Sequence, residues 1–411
     1  MTNHVRDCDG PTEGVGPVLC VSVGTAKEGM KLALPVYHPQ QPDHILLQPG
    51  FELNQRIARR IEEIGIRQVW VQYPSLSQVD KFINLDTMRR RGEMAAKIGS
   101  VFQNAQADAF ASVDYRTYEN TFHEIIATLV ANPASALYLD QMAHGDQPLM
   151  EHCLRVSYMA VLMGVKLDGY LVRERKKLTA RRAKQVTNLG LGAMLHDIGK
   201  LSLQPEVLER HEKTANDHDP VWQAHVKIGY DLLREKIDAT AGTVILHHHQ
   251  HYDGSGFPNI VNSEGERAPL AGSQIHIFAR IACIANEFDR LHYRNYTDRV
   301  PTVRAIQQLL DPRRVKWFDP RVVEAFLAIV PPYPPGSVIQ LSDGRDVTPV
   351  NHHPDSPCRP TVQVIDADPA STDDAFVDLR DRPDLHVTRS EGQLVADANF
   401  QVPDSLTAAL T

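Results

Sequence analysis

Cysteine is sparse in this chain: five residues in 411 (Cys8, Cys20, Cys153, Cys283 and Cys358), none arranged as CxxC. An odd, scattered set excludes a disulfide framework and fits a reducing cytoplasm. Long apolar runs are also missing. The longest candidate, Val156 to Leu167, is broken by Ser157, Gly164 and Lys166, short of the roughly 20 residues that span a bilayer. The opening residues MTNHVRDCDGPTEG contain no apolar core of a signal peptide, so none is expected. Positive charge is not in surplus, since 43 Lys and Arg stand against 51 Asp and Glu for a net charge of −8. A protein that coats polymeric nucleic acid through phosphate contacts is therefore not expected.

Histidine is abundant instead. The chain has 19, and eight of them (His196, His211, His218, His225, His247, His248, His249 and His251) fall between residues 196 and 251. That is far more than an even spread would place there. A histidine cluster away from both termini points to a metal site.

Along the chain, residues 1–15 are polar and aperiodic and read as a disordered lead. Residues 16–80 form a small α/β module: Val18 to Val21, Ile45 to Leu47 and Val69 to Val71 read as strands. Leu53, Ile57, Ile61 and Ile64 mark a helix that ends at Gly65. Residues 81–118 read as a connector. From 119 to 335 the period is helical, with apolar faces at Phe122/Ile125/Ile126/Leu129 and Met150/Cys153/Val156/Ala160/Met163. Asp219-Pro220 is a helix start, an N-cap followed by proline at the first helical position. The run Pro331-Pro332-Tyr333-Pro334-Pro335-Gly336 ends the block. Residues 336–366 read as a small β tail module, with strands at 338–341, 346–348 and 361–364. Residues 367–411, rich in Asp, Ser, Thr and Ala, read as a loosely ordered tail. The fold class expected is mainly α, a helical bundle between two small strand-bearing modules.

Three segments carry chemistry. His196-Asp197 closes the apolar stretch Leu189 to Leu195, where two adjacent ligands can face one ion, and Lys200 follows one turn later beside any anion held there. His225 lies one turn from Trp222 on the buried side of the helix that Asp219 opens; alone it reads as a core histidine bonded to a carbonyl. The segment His247 to Pro258 sets four imidazoles in five residues ahead of a glycine-rich loop. Consecutive histidines at a helix end can serve two ions if the backbone turns between them, and the loop's glycines let backbone N–H groups approach phosphate.

HDIGK at 196–200, HVKIG at 225–229 and HHQHYDGSGFP at 248–258 resemble the HD-GYP branch of the HD superfamily of metal-dependent phosphohydrolases. The usual forms there are HDxGK, HPxxG and HHExxDGxGYP, in this order. His152-Cys153-Leu154-Arg155-Val156 resembles the family's leading HSxRV helix, and Arg280 to Leu291 resembles its RIxxVADxFDAL helix. The likeness covers roughly residues 119–365. It implies an HD-type helical bundle that hydrolyses cyclic di-GMP to pGpG or GMP in bacterial second-messenger signalling. Two divalent ions, Fe or Mn, are implied as cofactors, and a homodimer or signalling proteins as partners. Carried over by position, His152, His196, Asp197, His225, His248, His249 and Asn286 are metal ligands. Asp197 bridges the ions, and Lys200 joins it as a catalytic group on the scissile phosphate. Asp253, Gly254, Gly256, Phe257 and Pro258 shape the substrate site, while Gln250 and Asp289 support the ligands from behind.

Three positions depart from the family pattern. Asn286 stands where the VAD acid would be, Gln250 replaces the Glu of HHE, and Phe257 replaces the Tyr of GYP. An amide brings no charge to a metal, so the ion beside Asn286 is expected to bind more weakly. The Glu that serves a third metal in some members is Pro148 here, which favours a binuclear site. These losses motivate a competing expectation, a weakened member that binds nucleotide or protein as a regulator. A third is hydrolysis of a different nucleotide. The seven Lys and Arg between Arg173 and Lys184 read as a solvated loop.

Overall fold

A computed structural model describes residues 16–38, 41–76, 78–103, 115–137, 148–261, 265, 267–295, 298–365 and 376–403. The expected disordered lead lies outside them.

The N-terminal module pairs β1 (Val18–Ser22) antiparallel with β4 (Gln68–Gln72), and β2 (Val36–His38) with β3 (Gln41–Leu47). Helix α1 (Gln55–Glu63) packs on them, capped by Asn54 Oδ1, which accepts from Ile57 N at 2.9 Å. The segment expected to be a connector, helical in part, carries helix from Leu85. Helix α2 (Leu85–Gln103) lies against α3 (Tyr115–Ala131), and its Met94 and Ala95 join the main core. Its charged residues mask this role in the sequence, because Arg89 and Arg90 pair with Asp86 on the outer face.

The bundle continues through α4 (Pro148–Lys166), α5 (Asp168–Glu174), α6 (Ala180–Ala183), α7 (Thr187–Met194), α8 (Pro205–Thr214), α9 (Pro220–Leu233), α10 (Ala239–His247), α11 (Ile277–His292), α12 (Thr302–Leu309) and α13 (Pro320–Ile329). Helix α4 is buried almost all round because α7, α11 and α13 pack on it from different sides. Asp219 caps α9 by accepting from Val221 N at 2.9 Å. Hairpins β5–β6 (Ile260–Val261, Arg267–Ala268) and β7–β8 (Tyr293–Arg294, Asp298–Arg299) are short excursions from the bundle. Most of the Arg173–Lys184 run is exposed, but Arg175 turns inward to donate to the carbonyl of Ala183 at 2.8 Å.

One close approach sets the site. A Cβ on Gly199 would lie 2.0 Å from the His225 carbonyl oxygen, so only glycine lets the 3₁₀ turn Ile198–Ser202 touch α9.

The C-terminal module is larger than expected. Strands β9 (Ile339–Leu341), β10 (Asp346–Asn351) and β11 (Thr361–Val364) are joined by β12 (Phe376–Asp378), β13 (Val387–Ser390) and β14 (Gln393–Leu394) in one antiparallel sheet, ordered β12-β11-β10-β9-β13-β14. The expectation of a loose tail is therefore corrected for residues 376–403. Leu379, Val387, Val395 and Ala398 are fully buried against Tyr333, Leu341 and Val362. Apolar residues spaced singly among polar ones left no period to read. The sheet also meets the N-terminal module, where Cys20 N donates to the Gly336 carbonyl at 2.8 Å and Gln363 Nε2 to that of Ser75 at 3.0 Å.

Candidate metal centre

Two helix ends and two helix interiors deliver the candidate ligands. His152 projects from the middle of α4, and His196-Asp197 follow the last turn of α7. His225 lies within α9, and His248-His249 follow α10. All six are buried, as is Asn286 on α11. Burying so many polar groups is costly unless each finds a partner.

The partners are divided by ring nitrogen. The Nδ1 atoms of His196, His225 and His248 lie 2.7, 2.6 and 2.9 Å from the carbonyl oxygens of Ala193, Trp222 and Ile245. His152 Nδ1 lies 2.7 Å from Asp289 Oδ2. A carbonyl only accepts, so each of the first three Nδ1 atoms carries the hydrogen, and in the neutral, metal-ready ring its Nε2 is left with a lone pair. Those Nε2 atoms converge on Asp197. His152 and His196 reach Oδ2 at 3.5 and 3.4 Å, and His225 and His248 reach Oδ1 at 3.4 and 3.6 Å. Lone pairs therefore face lone pairs. Asp197 Oδ1, the Nε2 atoms of His225, His248 and His249, and Asn286 Oδ1 are buried with no hydrogen-bond partner.

Such an arrangement is repulsive by itself and attractive around cations. The groups fall into two sets that share Asp197, one with His225, His248 and His249 and one with His152 and His196. Imidazole nitrogens and a carboxylate suit Zn, Mn or Fe, and Nδ1–H bonds to carbonyls or carboxylate are the usual way such imidazoles are oriented. The residues fit divalent cations, with Asp197 common to both sets.

Charge in the centre follows from burial and from one carboxylate. Burial holds His225 and His249 well below the ordinary imidazole range and His248 down at about 4. Burial opposes charge on His196 too, but the adjacent Asp197 pushes it up to about 9. Asp197 stays well below the usual carboxylate range against its own desolvation because Lys200 and His196 face it. Asp289 is likewise held down at about 2, where Arg155 and His152 outweigh burial. Arg155 grips Asp289 through Nε at 2.7 Å and Nη2 at 3.0 Å, a buried fork that fixes the carboxylate behind His152.

Several expected positions fall elsewhere. Lys200 Nζ sits on Asp197 Oδ2 at 2.5 Å, and the residue is not among those that line the cleft above the centre. Gly256 and Phe257 line that cleft with His248, His249 and Asn286, whereas Asp253, Gly254 and Pro258 do not. Asp253 instead closes a turn by accepting from Ser255 N and Oγ at 3.0 and 2.6 Å. Gln250 does not orient a ligand histidine. Its Nε2 donates to the Pro258 carbonyl at 2.6 Å and its Oε1 accepts from Leu270 N at 2.9 Å, so it ties the loop down. An amide has the donor and the acceptor this needs, and a carboxylate would lack the donor. Phe257 stacks on His249 with centroids 4.5 Å apart.

The remaining cleft wall was not foreseen. Asp217, Glu287, Arg290 and Trp317 line it, with His218 and His251. Asp217 accepts from His211 Nε2 at 2.7 Å and from Arg290 Nη2 at 2.9 Å, and the His211 ring lies on Trp222 at 3.9 Å. The one available signal was Arg290, a large cation where the resembling helix has a small residue.

A helical bundle that closes on a buried histidine–aspartate centre defines a class, the HD domain. Residues 165–322 match the family model described as "HD domain". Over that stretch the chain is similar to HD domains, and its motif set resembles the HD-GYP branch. Similar proteins include a cyclic di-GMP phosphodiesterase of Pseudomonas aeruginosa, 26% identical over 278 residues (66% of this chain, 60% of that protein). A cyclic di-GMP phosphodiesterase response regulator of Xanthomonas campestris pv. campestris is 33% identical over 147 residues (35% of this chain, 36% of that protein). The 3'3'-cGAMP-specific phosphodiesterase 2 of Vibrio cholerae serotype O1 is 31% identical over 137 residues (32% of this chain, 24% of that protein). The aligned part thus spans less than two thirds of each relative. Among the described residues, no helix is long and apolar enough to cross a membrane.

Proposed function

We propose that this chain is a metal-dependent phosphodiesterase that hydrolyses cyclic di-GMP to pGpG, or onward to GMP, in bacterial second-messenger signalling. The observation that carries the reading is Asp197, whose two buried oxygens face two separate sets of imidazole lone pairs. The names of the similar proteins support the substrate. Divalent ions, Fe or Mn, would when bound supply an activated water and neutralise phosphoryl charge. His152, His196, His225, His248 and His249 would hold them with Asp197 between, and Asn286 would add a neutral oxygen. Lys200 brings the nearest ammonium, placed to offset charge that develops on phosphoryl oxygens. Gly256 and Phe257 border the space a phosphate would enter, and the turn at Asp253 and Gly254 with Pro258 and Gln250 shapes the loop that presents them. Asp289 keeps His152 oriented. A cytoplasmic setting agrees with Cys153, Cys283 and Cys358, which are thiols in no disulfide. A homodimer or signalling partner would then couple the N-terminal module to the site.

The test is to purify the chain with Mn²⁺ or Fe²⁺ under reducing conditions, count metal per chain, and follow cyclic di-GMP by chromatography. About two ions and turnover that His196→Ala or Asp197→Ala abolishes are expected. Stoichiometric binding without product under every metal tried would sink the hydrolase reading in favour of a regulator. Asn286→Asp should raise metal occupancy, and no change would remove Asn286 from the ligand set.

A further inference from the structure

The metal floor of the cleft leaves its outer half unexplained. There Trp317 and His251 lie face to face, centroids 4.3 Å apart and planes within 11°. Both border the same cleft as His248, His249 and Asn286. The pair is held in register by the backbone, because Tyr252 N donates to the Trp317 carbonyl at 2.7 Å.

Two carboxylates border this space as well, Asp217 and Glu287. Neither suits a phosphate, whose oxygens are themselves acceptors and negative. Asp217 is taken up by His211 and Arg290. Glu287 has one guanidinium at each oxygen, Arg290 at Oε2 and Arg314 at Oε1, both at 3.3 Å. Each oxygen thereby keeps a lone-pair direction in reserve. An aromatic platform beside such a carboxylate matches a nucleobase with a donor-rich edge. Guanine presents N1–H and N2–H₂ side by side, which two carboxylate oxygens can accept together. Adenine presents a donor beside an acceptor on that edge, and the acceptor would meet Glu287 with repulsion.

We propose that the outer half of the cleft is a guanine subsite, in which the base stacks on the Trp317–His251 pair and Glu287 selects it over adenine. This rests on the cyclic dinucleotide reading for the occupant of the metal floor.

Two measurements on the full, metal-loaded chain test it. In the first, GMP and AMP binding is followed by calorimetry in the unmutated protein, in Trp317→Ala and in Glu287→Gln. The two nucleotides share ribose and phosphate, so their difference reports the base alone. The unmutated protein should prefer GMP. Trp317→Ala should weaken GMP about tenfold or more, the scale of a lost base–aromatic stack. Glu287→Gln should shrink the GMP preference. In the second, Trp317→Ala should raise KM for cyclic di-GMP by a larger factor than it raises KM for methyl p-nitrophenyl phosphate, a diester without a base. Equal GMP and AMP affinity in the unmutated protein overturns the subsite without any variant, as does unchanged GMP affinity in a folded Trp317→Ala. Absence of turnover would overturn the proposed reaction instead, and the binding comparison would still decide the subsite.

Discussion

At the scale of single residues the site turns on hydrogens that are already committed. Each of three imidazoles spends its one hydrogen on a backbone carbonyl, so the face toward Asp197 is made of lone pairs. Asp289 does the same work for His152 and is itself held by Arg155. Asp289→Asn would take one of two buried carboxylates from the Arg155 guanidinium, leaving Glu151 at 3.6 Å, and should destabilise the fold by about 1–3 kcal/mol. The same change removes the support behind a ligand and should lower metal affinity about 10- to 100-fold. Chemical denaturation and competition with a fluorescent chelator read the two effects separately. If affinity were unchanged in a folded variant, His152 would not depend on Asp289.

Elements set the spacing between those residues, and two predictions belong here. Gly199→Ala places a Cβ against the His225 carbonyl and the Gly229 N, both backbone atoms that cannot swing away. The 3₁₀ turn and α9 must part, at a cost of about 2–3 kcal/mol, and His225 moves relative to Asp197. A lower unfolding midpoint together with reduced metal content is expected; a change in stability alone would mean that the backbone relaxes elsewhere.

The second concerns the start of α11. His276 caps it by accepting from Phe278 N at 3.2 Å, and burial, with Arg175, Arg280 and His247 nearby, holds the imidazole down at about 4. The folded value lies below the unfolded value of about 6.5. The contribution is therefore fully present above pH 6.5 and is lost as pH falls toward 4, because the unfolded chain takes the proton first. His276→Asn keeps an acceptor at the cap but does not titrate. Its stability should fall less steeply over that window, by up to about 1.4 kcal/mol per pH unit. Parallel curves for the two proteins would show that His276 titrates alike in the folded and unfolded states.

For the whole molecule, the C-terminal residues are part of the structure and not an appendage. Removing residues 376–411 strips β12, β13 and β14 from the sheet and takes Leu379, Leu385, Val387 and Val395 out of the core. At about 1.5–3 kcal/mol for each large apolar side chain, the loss rivals the roughly 5–15 kcal/mol that holds an ordinary domain folded. The shortened chain should aggregate or melt at least about 10 °C lower by calorimetry. Melting unchanged from the full chain would restore the view of a loose tail. Tyr333 O–H, which donates to Asn399 Oδ1 at 2.6 Å, ties this region to the end of the helical block, so the damage should reach beyond the sheet.

What the sequence determined by itself was local and periodic. The helical block, the Asp219 cap, the strands around 338–364 and the histidine-bearing segments at 196, 225 and 248 all rest on neighbours close in the chain. Their residue types already announced a helical bundle with a metal-binding face. Tertiary structure decided everything that depends on two distant segments meeting. Only folding brings Asp217 of one loop to Arg290 of α11 and Trp317 to His251, and no spacing in a single chain encodes such pairs. It also decided that Gln250 ties a loop instead of a ligand, since an amide's role is set by which carbonyl and which N–H it meets. The tail was opaque for the same reason: burial of Val387 and Val395 comes from a sheet whose first strand, at Ile339–Leu341, lies far earlier in the chain. Periodicity records which face of an element is apolar, and the identity of whatever covers that face is a property of the fold.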